Sequence, residues 1–295
     1  TAVRQPGLTL TATGVTPWLD VSAGVWDPVL PGGGPVRQRW LDVDGALVAT
    51  GGADRERWWM HWPSLGTYVF GSDGPVVVYP IAGSSHAALQ DSFTRGVVPV
   101  VMLARGCEAL HASAVLTGSG VVVFCARSGT GKSSLALALA LQGAILWADD
   151  TVALPWAHDR IESVALPFPL RIDDTVREAL GRRADVRFTD PGARHPLRRV
   201  YFLTRDATMD PGKPELTSVR DGSRFERLLA HAHPFELATD ARRRVMIERL
   251  LRIAAAVPLY ELRFAPSLEH LPLLAQSVSA HLSRRAEALP HVRSA

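Results

Sequence analysis

The chain has 295 residues, 47% of them hydrophobic, and a formal net charge of +3, enough apolar material for one large or two modest buried cores. No stretch reaches the roughly 18 to 20 apolar residues of a membrane span, and no signal-peptide pattern is seen, so a cytoplasmic protein with no membrane partner is expected. The basic clusters Arg182-Arg183, Arg198-Arg199 and Arg242-Arg243-Arg244 are short and interleaved with acids, which argues against nucleic acid as a partner; Cys107 and Cys125 are too few for a disulfide framework.

The first 65 or so residues are rich in Gly, Pro and Trp and predict a small β-rich region. Its cluster Trp58-Trp59-Met60-His61-Trp62 reads as core packing, with a peptide-binding face as the alternative. Residues 67–70 and 75–79, separated by Gly71-Ser72-Asp73-Gly74, predict a hairpin. A helical stretch over about 86–105, interrupted near Gly96, then leads to a strand at His111. The unbroken apolar run 121–125 suits a buried parallel strand, and 134–141 is built of strong helix formers stopped by Gly143. A second apolar strand, 145–148, ends on Asp149-Asp150. Further strands are expected at 199–204 and 258–263, with helices near 225–231, 241–256 and 267–285. Residues 194–199 read as a loop able to meet an acidic or phosphorylated acceptor. His231 and His233, two apart, would fall on different helix faces, which argues against a shared metal site. The class is α/β, with a smaller β-rich N-terminal domain over 1–100 and a nucleotide-binding domain over 101–295.

Chemistry concentrates between those two central strands. Lys132 is one of two lysines set against 30 arginines, and it lies in Ser128-Gly129-Thr130-Gly131-Lys132-Ser133-Ser134. A compact ammonium on a flexible stem reaches between phosphate groups where a planar guanidinium fork does not. Strand, glycine-rich loop, Lys-Ser and helix in that order match the P-loop pattern, in which loop amides and a helix N-terminus converge on phosphate oxygens. Ala126 replaces the first glycine of the pattern. The loop residues Arg127, Ser128, Gly129, Thr130, Gly131, Lys132, Ser133 and Ser134 are therefore the candidate nucleotide contacts. Lys132 would bridge the β and γ phosphates of ATP and Ser133 would ligate Mg2+. Of the paired acids, one would organise the hydrated metal and the other accept the proton of an attacking hydroxyl.

These residues resemble the HPr kinase/phosphorylases, whose core is similar to that of phosphoenolpyruvate carboxykinases. The resemblance rests on Leu110-His111, on Ser128 to Ser133 and on Ala148-Asp149-Asp150, with His111 22 positions before Ser133 and Asp150 17 after it. It implies that Asp150 accepts the proton, that His111 stands beside it, and that Asp149 with Ser133 organises the metal. The family's downstream Glu-Ile-Arg-Gly is Pro169-Leu170-Arg171-Ile172 here: Arg171 matches the arginine that contacts phosphate or acceptor, while the metal-ligating glutamate is missing. Asp173, Asp174, Glu162 or water would have to replace it. No segment resembles the loop that engages HPr and reverses the reaction. The resemblance therefore implies a kinase, possible as a homo-oligomer, acting on a Ser or Thr of a peptide or small protein. Diverged relatives phosphorylate ribosomally made peptides, lasso-peptide precursors among them. A small-molecule hydroxyl kinase and a nucleotide-binding regulatory module without transfer are the alternatives.

Overall fold

The computed structural model describes residues 21–23, 36–42, 44–54, 57–157, 160–166, 168, 174–180, 186–233 and 239–284. Among them the strands form two sheets, of six and ten strands, in a mixed α/β architecture. The first sheet holds β1 (Val21–Ala23), β2 (Val36–Leu41), β3 (Leu47–Asp54), β4 (Arg57–Trp62), β5 (Gly66–Gly71) and β6 (Val76–Pro80), in the order β1-β6-β5-β4-β3-β2. The predicted hairpin is β5 with β6, paired antiparallel with Val69 opposite Val77. In β4, Trp59, Met60 and Trp62 are buried, and Trp62 meets Tyr68 edge-on at 5.5 Å, so the aromatic cluster serves chiefly as core.

The helical stretch runs as α1 (His86–Ser92), a π-helical turn (Phe93–Val97) and α2 (Val98–Ala104), with the expected boundary at residue 100 passing through α2. The interruption expected near Gly96 is that π turn. A Cβ on Gly96 would lie 2.7 Å from the Trp62 ring, so glycine is what allows the turn to approach β4.

The second sheet begins with β7 (Glu108–Leu110), β8 (Ala112–Thr117) and β9 (Gly120–Cys125), followed by α3 (Lys132–Leu141) and β10 (Ile145–Ala148). It continues through β11 (Val152–Leu154), β12 (Trp156–Ala157), β13 (Arg160–Val164), α4 (Asp174–Ala179) and the twelve-residue β14 (Arg194–Arg205). The chain closes with β15 (Glu215–Ser218), α5 (Asp221–Leu229), α6 (Asp240–Ala256), β16 (Leu259–Phe264) and α7 (Leu271–Ser283). Strand order is β10-β8-β9-β14-β13-β11-β7, with β16 on β14, β15 on β16 and β12 on β13.

β9 is the buried strand expected, parallel to β14 on one side and antiparallel to β8 on the other. Its apolar run is explained by burial on both faces. Val121, Val123 and Cys125 join the core under α6, where Met246, Leu250 and Ile253 recur at helical spacing, while Val122 and Phe124 face α3 and α7. Cys125 and Cys107 are buried free thiols, and burial pushes them up to about 12 and about 11.

Residues 194–199, expected as a loop, are the first half of β14. They pair with β13 and then β9, and a bulge between Leu197 and Arg199 follows Pro196, which lacks a ladder donor. Arg199 is buried, donating to the carbonyls of His281 and Arg284, and is thus committed to structure. No helix among the described residues is long and apolar enough to cross a membrane.

One buried ion cluster ties β7 of the second sheet to α6. Glu108, 1% exposed, accepts from Arg242 through both carboxylate oxygens at 3.0 Å and from Arg249 at 2.9 Å. Arg242 belongs to one of the short basic clusters that the sequence marks as interleaved with acids, and here its acid partner is buried. Glu108→Gln strands two guanidinium groups and is expected to lower unfolding stability by about 3 kcal/mol, read as the shift of the urea midpoint at unchanged slope.

Candidate functional site

The segment from Ala126 to Gly131 joins buried β9 to α3. The chain reverses with Gly129 at φ 78° and Gly131 at φ 107°, a region that side chains rarely enter. Ala126 is buried and does not have positive φ, so the position where the pattern carries glycine needs none here. Gly131 is the N-cap of α3 and offers no side-chain cap. Glycine in place of a side-chain cap costs roughly a few tenths of a kcal/mol, whereas burying Leu135, Leu137 and Leu139 contributes about 1.5–3 kcal/mol each. Packing therefore holds the helix, and among the described residues no side chain caps its N-terminus.

Lys132, 5% exposed, donates from Nζ to the carbonyls of Ala126 (3.1 Å) and Arg127 (3.3 Å) and contacts His111 Nε2 at 3.2 Å. An ammonium has donors only, so Nε2 is the acceptor and the ring proton sits on Nδ1, which donates to the Asp150 carbonyl at 3.2 Å. Burial lowers the Lys132 pKa, opposed by Asp150 and Asp149; burial, then the Lys132 charge, lowers that of His111.

Asp149 is 8% exposed, and its Oδ1 accepts from Ser133 at 2.6 Å and Ser113 at 2.7 Å. Ser113 on β8, Asp149 after β10 and Ser133 on α3 thus share one oxygen-rich point. Asp150 differs: it takes φ 62°, the single non-glycine residue with positive φ among those described. Such a backbone costs about 1–3 kcal/mol and persists only where its surroundings impose it. Arg95, from the π turn, donates to Asp150 Oδ2 through Nη2 (2.6 Å) and Nε (3.2 Å), leaving Oδ1 outside the ion pair. The Asp150 contact is also the main reason the Arg95 pKa is raised.

A cavity of ≈ 490 Å³ opens beside this cluster, lined by residues 128–134, Asp150 and Arg205 among others. Lys132, Ser133, Asp149, Asp150 and His111 are brought together as the motif spacing expected. Arg127 is exposed and is not among the residues lining the cavity. Arg171 and Asp173 lie outside the described residues, as does the Asp174 side chain; Glu162 sits on β13 opposite Pro196, not at the cavity. Hard oxygen donors from Ser133 and Asp149 suit Mg2+, which takes few protein ligands and completes its shell with water and phosphate. No group of three or more His, Cys, Asp or Glu that could hold a metal occurs among the described residues.

Several neighbours were not anticipated. Arg205, ending β14, donates from Nε to the Thr130 carbonyl at 3.0 Å and braces the loop. Arg95 and Ser113 carry no motif signal, because one arginine among 30 and one serine before an apolar strand look ordinary. His231 lies in the turn that ends α5 and His233 just beyond the isolated bridge between Ala232 and Leu110, with His231 O accepting from the His111 amide at 2.7 Å. Helical geometry was the wrong frame for them. His233 Nε2 lies 3.4 Å from Thr151 Oγ1, its ring edge-on to His111.

Burial lowers the pKa values of His231 and His233 from 6.5 to about 4. On acidification the unfolded chain takes up protons near pH 6.5 while the folded protein holds these rings neutral until about pH 4. Stability is thus full above 6.5 and is lost as pH falls through that window. His233→Gln is expected to flatten the decline in urea midpoint between pH 7 and pH 4.5; an unchanged slope would show that the ring titrates normally.

No protein-family model matches the chain, and no curated protein matches it. Among solved structures it shows a distant likeness to the Hpr(Ser) kinase/phosphatase from Coxiella burnetii, with a TM-score of 0.34 and 17% identity, covering 59% of this chain and 90% of that one.

Proposed function

We propose that the protein is an ATP-dependent kinase with an HPr kinase-like P-loop core, transferring the γ-phosphoryl group to a serine or threonine hydroxyl of a peptide or small protein. The observation that carries this reading is one cavity lined by a buried lysine, a helix N-terminus that no side chain caps among the described residues, and a strained aspartate, with Asp149 bonded behind the Ser133 that lines it.

Lys132 is held by two loop carbonyls and His111, so its ammonium is positioned before any phosphate arrives. Loop amides and Lys132 would receive the phosphate oxygens, and Arg205 would keep the loop in shape. Ser133 and Asp149 would hold Mg2+, which supplies charge neutralisation to the phosphates when bound. The acceptor oxygen forms the new bond to phosphorus, the bond from the γ-phosphorus to the β–γ bridging oxygen breaks, and ADP leaves. Asp150 would take the acceptor's proton at Oδ1, the oxygen that Arg95 leaves alone. Phosphoryl transfer passes through a loose transition state, so fixing Asp150 in place matters more than its basicity. His111, donating to the Asp150 carbonyl while accepting from Lys132, would align the two.

Arg95 also gives a specific footing to a second reading, a nucleotide-binding module without transfer, because its charge neutralises the acid that would act as base. Two substitutions separate the readings. Lys132→Ala is expected to abolish nucleotide turnover. Asp150→Asn is expected to keep ATP affinity and to lose roughly a hundred- to ten-thousandfold in phosphate incorporation, measured with labelled ATP and a peptide panel followed by mass spectrometry. Transfer by Asp150→Asn at the original rate would remove Asp150 from the base position. ATP binding with no transfer to any acceptor would favour the module.

A further inference from the structure

A second space, a groove of ≈ 580 Å³, opens between the first sheet and the histidine segment. Its apolar walls come from Trp40, Val48, Met60 and Trp62 on the sheet and from Pro99 and Val100 on α2. At its head stand Arg95, His111 and His233. Two pairs separate it from the loop cavity: Arg95 lines the groove and bonds Asp150, which lines the cavity, and His111 lines the groove and contacts Lys132, which lines the cavity. A group held at the head of this groove therefore meets the partners of both proposed catalytic side chains.

We propose that this groove seats the acceptor, an uncharged polypeptide segment whose serine or threonine is flanked by large apolar side chains. This inference rests on the kinase reading above. Charge selects the class. Arg95 is the one cation lining the groove among the described residues; it is bonded to Asp150, and Asp91 stands near it. An acidic or already phosphorylated segment would bring negative charge toward Asp91, Asp149 and Asp150, with only Arg95, already bonded to Asp150, to meet it. The walls decide between a polypeptide and a metabolite. A sugar or nucleoside needs a partner for each of several hydroxyls, and walls of Trp, Met, Val and Pro leave them unpaired. A peptide with apolar neighbours has one hydroxyl to place and side chains that the walls can cover. Val48, 41% exposed, lies on the wall where the groove meets solvent. The arginine-bearing stretch 194–199, committed to β14, is not where such an acceptor docks.

The test uses the full chain and acetylated peptide amides with a central serine flanked by Leu and Phe, by Glu, or by Arg. Binding is followed by tryptophan fluorescence, which Trp40 and Trp62 report, and transfer by labelled phosphate. The Leu/Phe peptide is expected to bind at least tenfold more tightly than the Glu peptide. Val48→Lys, at a half-exposed position, is expected to weaken that binding at least tenfold with ATP affinity and thermal midpoint unchanged; Trp40→Ala should act in the same direction. Binding sensitive to Val48→Lys without any transfer upholds the groove and removes the kinase. Transfer indifferent to Val48→Lys, a preference for the Glu peptide, or phosphate appearing only in sugars or nucleosides overturns the groove while leaving phosphotransfer intact. If the peptides neither bind nor react, both ideas fall. If Val48→Lys instead halves the sedimenting mass and peptides are ignored, the groove is a contact between copies and the proposal is overturned.

Discussion

A carboxylate kept at 8% exposure beside an apolar sheet is tolerated only if its lone pairs are claimed, and Asp149 meets that condition through two hydroxyl donors on one oxygen. Those donors come from β8 and α3, while the acid follows β10, so a single acceptor registers three elements against each other. The arrangement fixes where the glycine loop ends relative to the second strand, and hence where Asp150 begins. Remove that point and only His111 still links Lys132 to Asp150.

Around it the charges are arranged in a chain. Lys132 leans on His111, His111 on the backbone of Asp150, and Asp150 on Arg95. Each link joins a different part of the sequence, and the last crosses into the helical stretch that packs under the first sheet. The N-terminal region thus supplies a cation to the site as well as its own core, which Ala153 and Val164 from the second sheet and Leu166 just after β13 extend. The π turn matters here because it delivers Arg95 where an unbroken α-helix, advancing 1.5 Å per residue, would have carried it to another angle. Strain at Asp150 belongs to the same economy of position: the positive φ is held by contacts on both its carboxylate and its carbonyl.

Much of this was legible in the chain itself, and the reason is locality. The loop, its strand and its helix lie within about twenty residues, and their order restricts the geometry strongly; the β5–β6 hairpin and the break at Gly96 are likewise set by neighbours in sequence. Residues 194–199 misled because proline and arginine suggest a loop, whereas β14 is held by β9, β13 and β16, all distant in sequence. His231 and His233 misled for a related reason. A two-residue spacing was judged on a helix, but α5 ends at Leu229 and the chain turns to a single bridge with Leu110, so the His231 ring stacks on Phe202 and the His233 ring meets His111.

Sequence alone determined the chemistry on offer: a lysine that arginine had not displaced, a hydroxyl after it, paired acids 17 and 16 positions beyond Ser133, and apolar runs long enough to bury both faces of a strand. Tertiary structure decided that, among the described residues, Arg95 and Arg205 stand against Asp150 and the loop, that one acid is buried and its neighbour strained, and that a second groove adjoins the first. The division is physical. Turn geometry and helix propensity are carried by adjacent residues, whereas partner choice for a common side chain depends on contacts between segments that only folding brings within hydrogen-bonding distance.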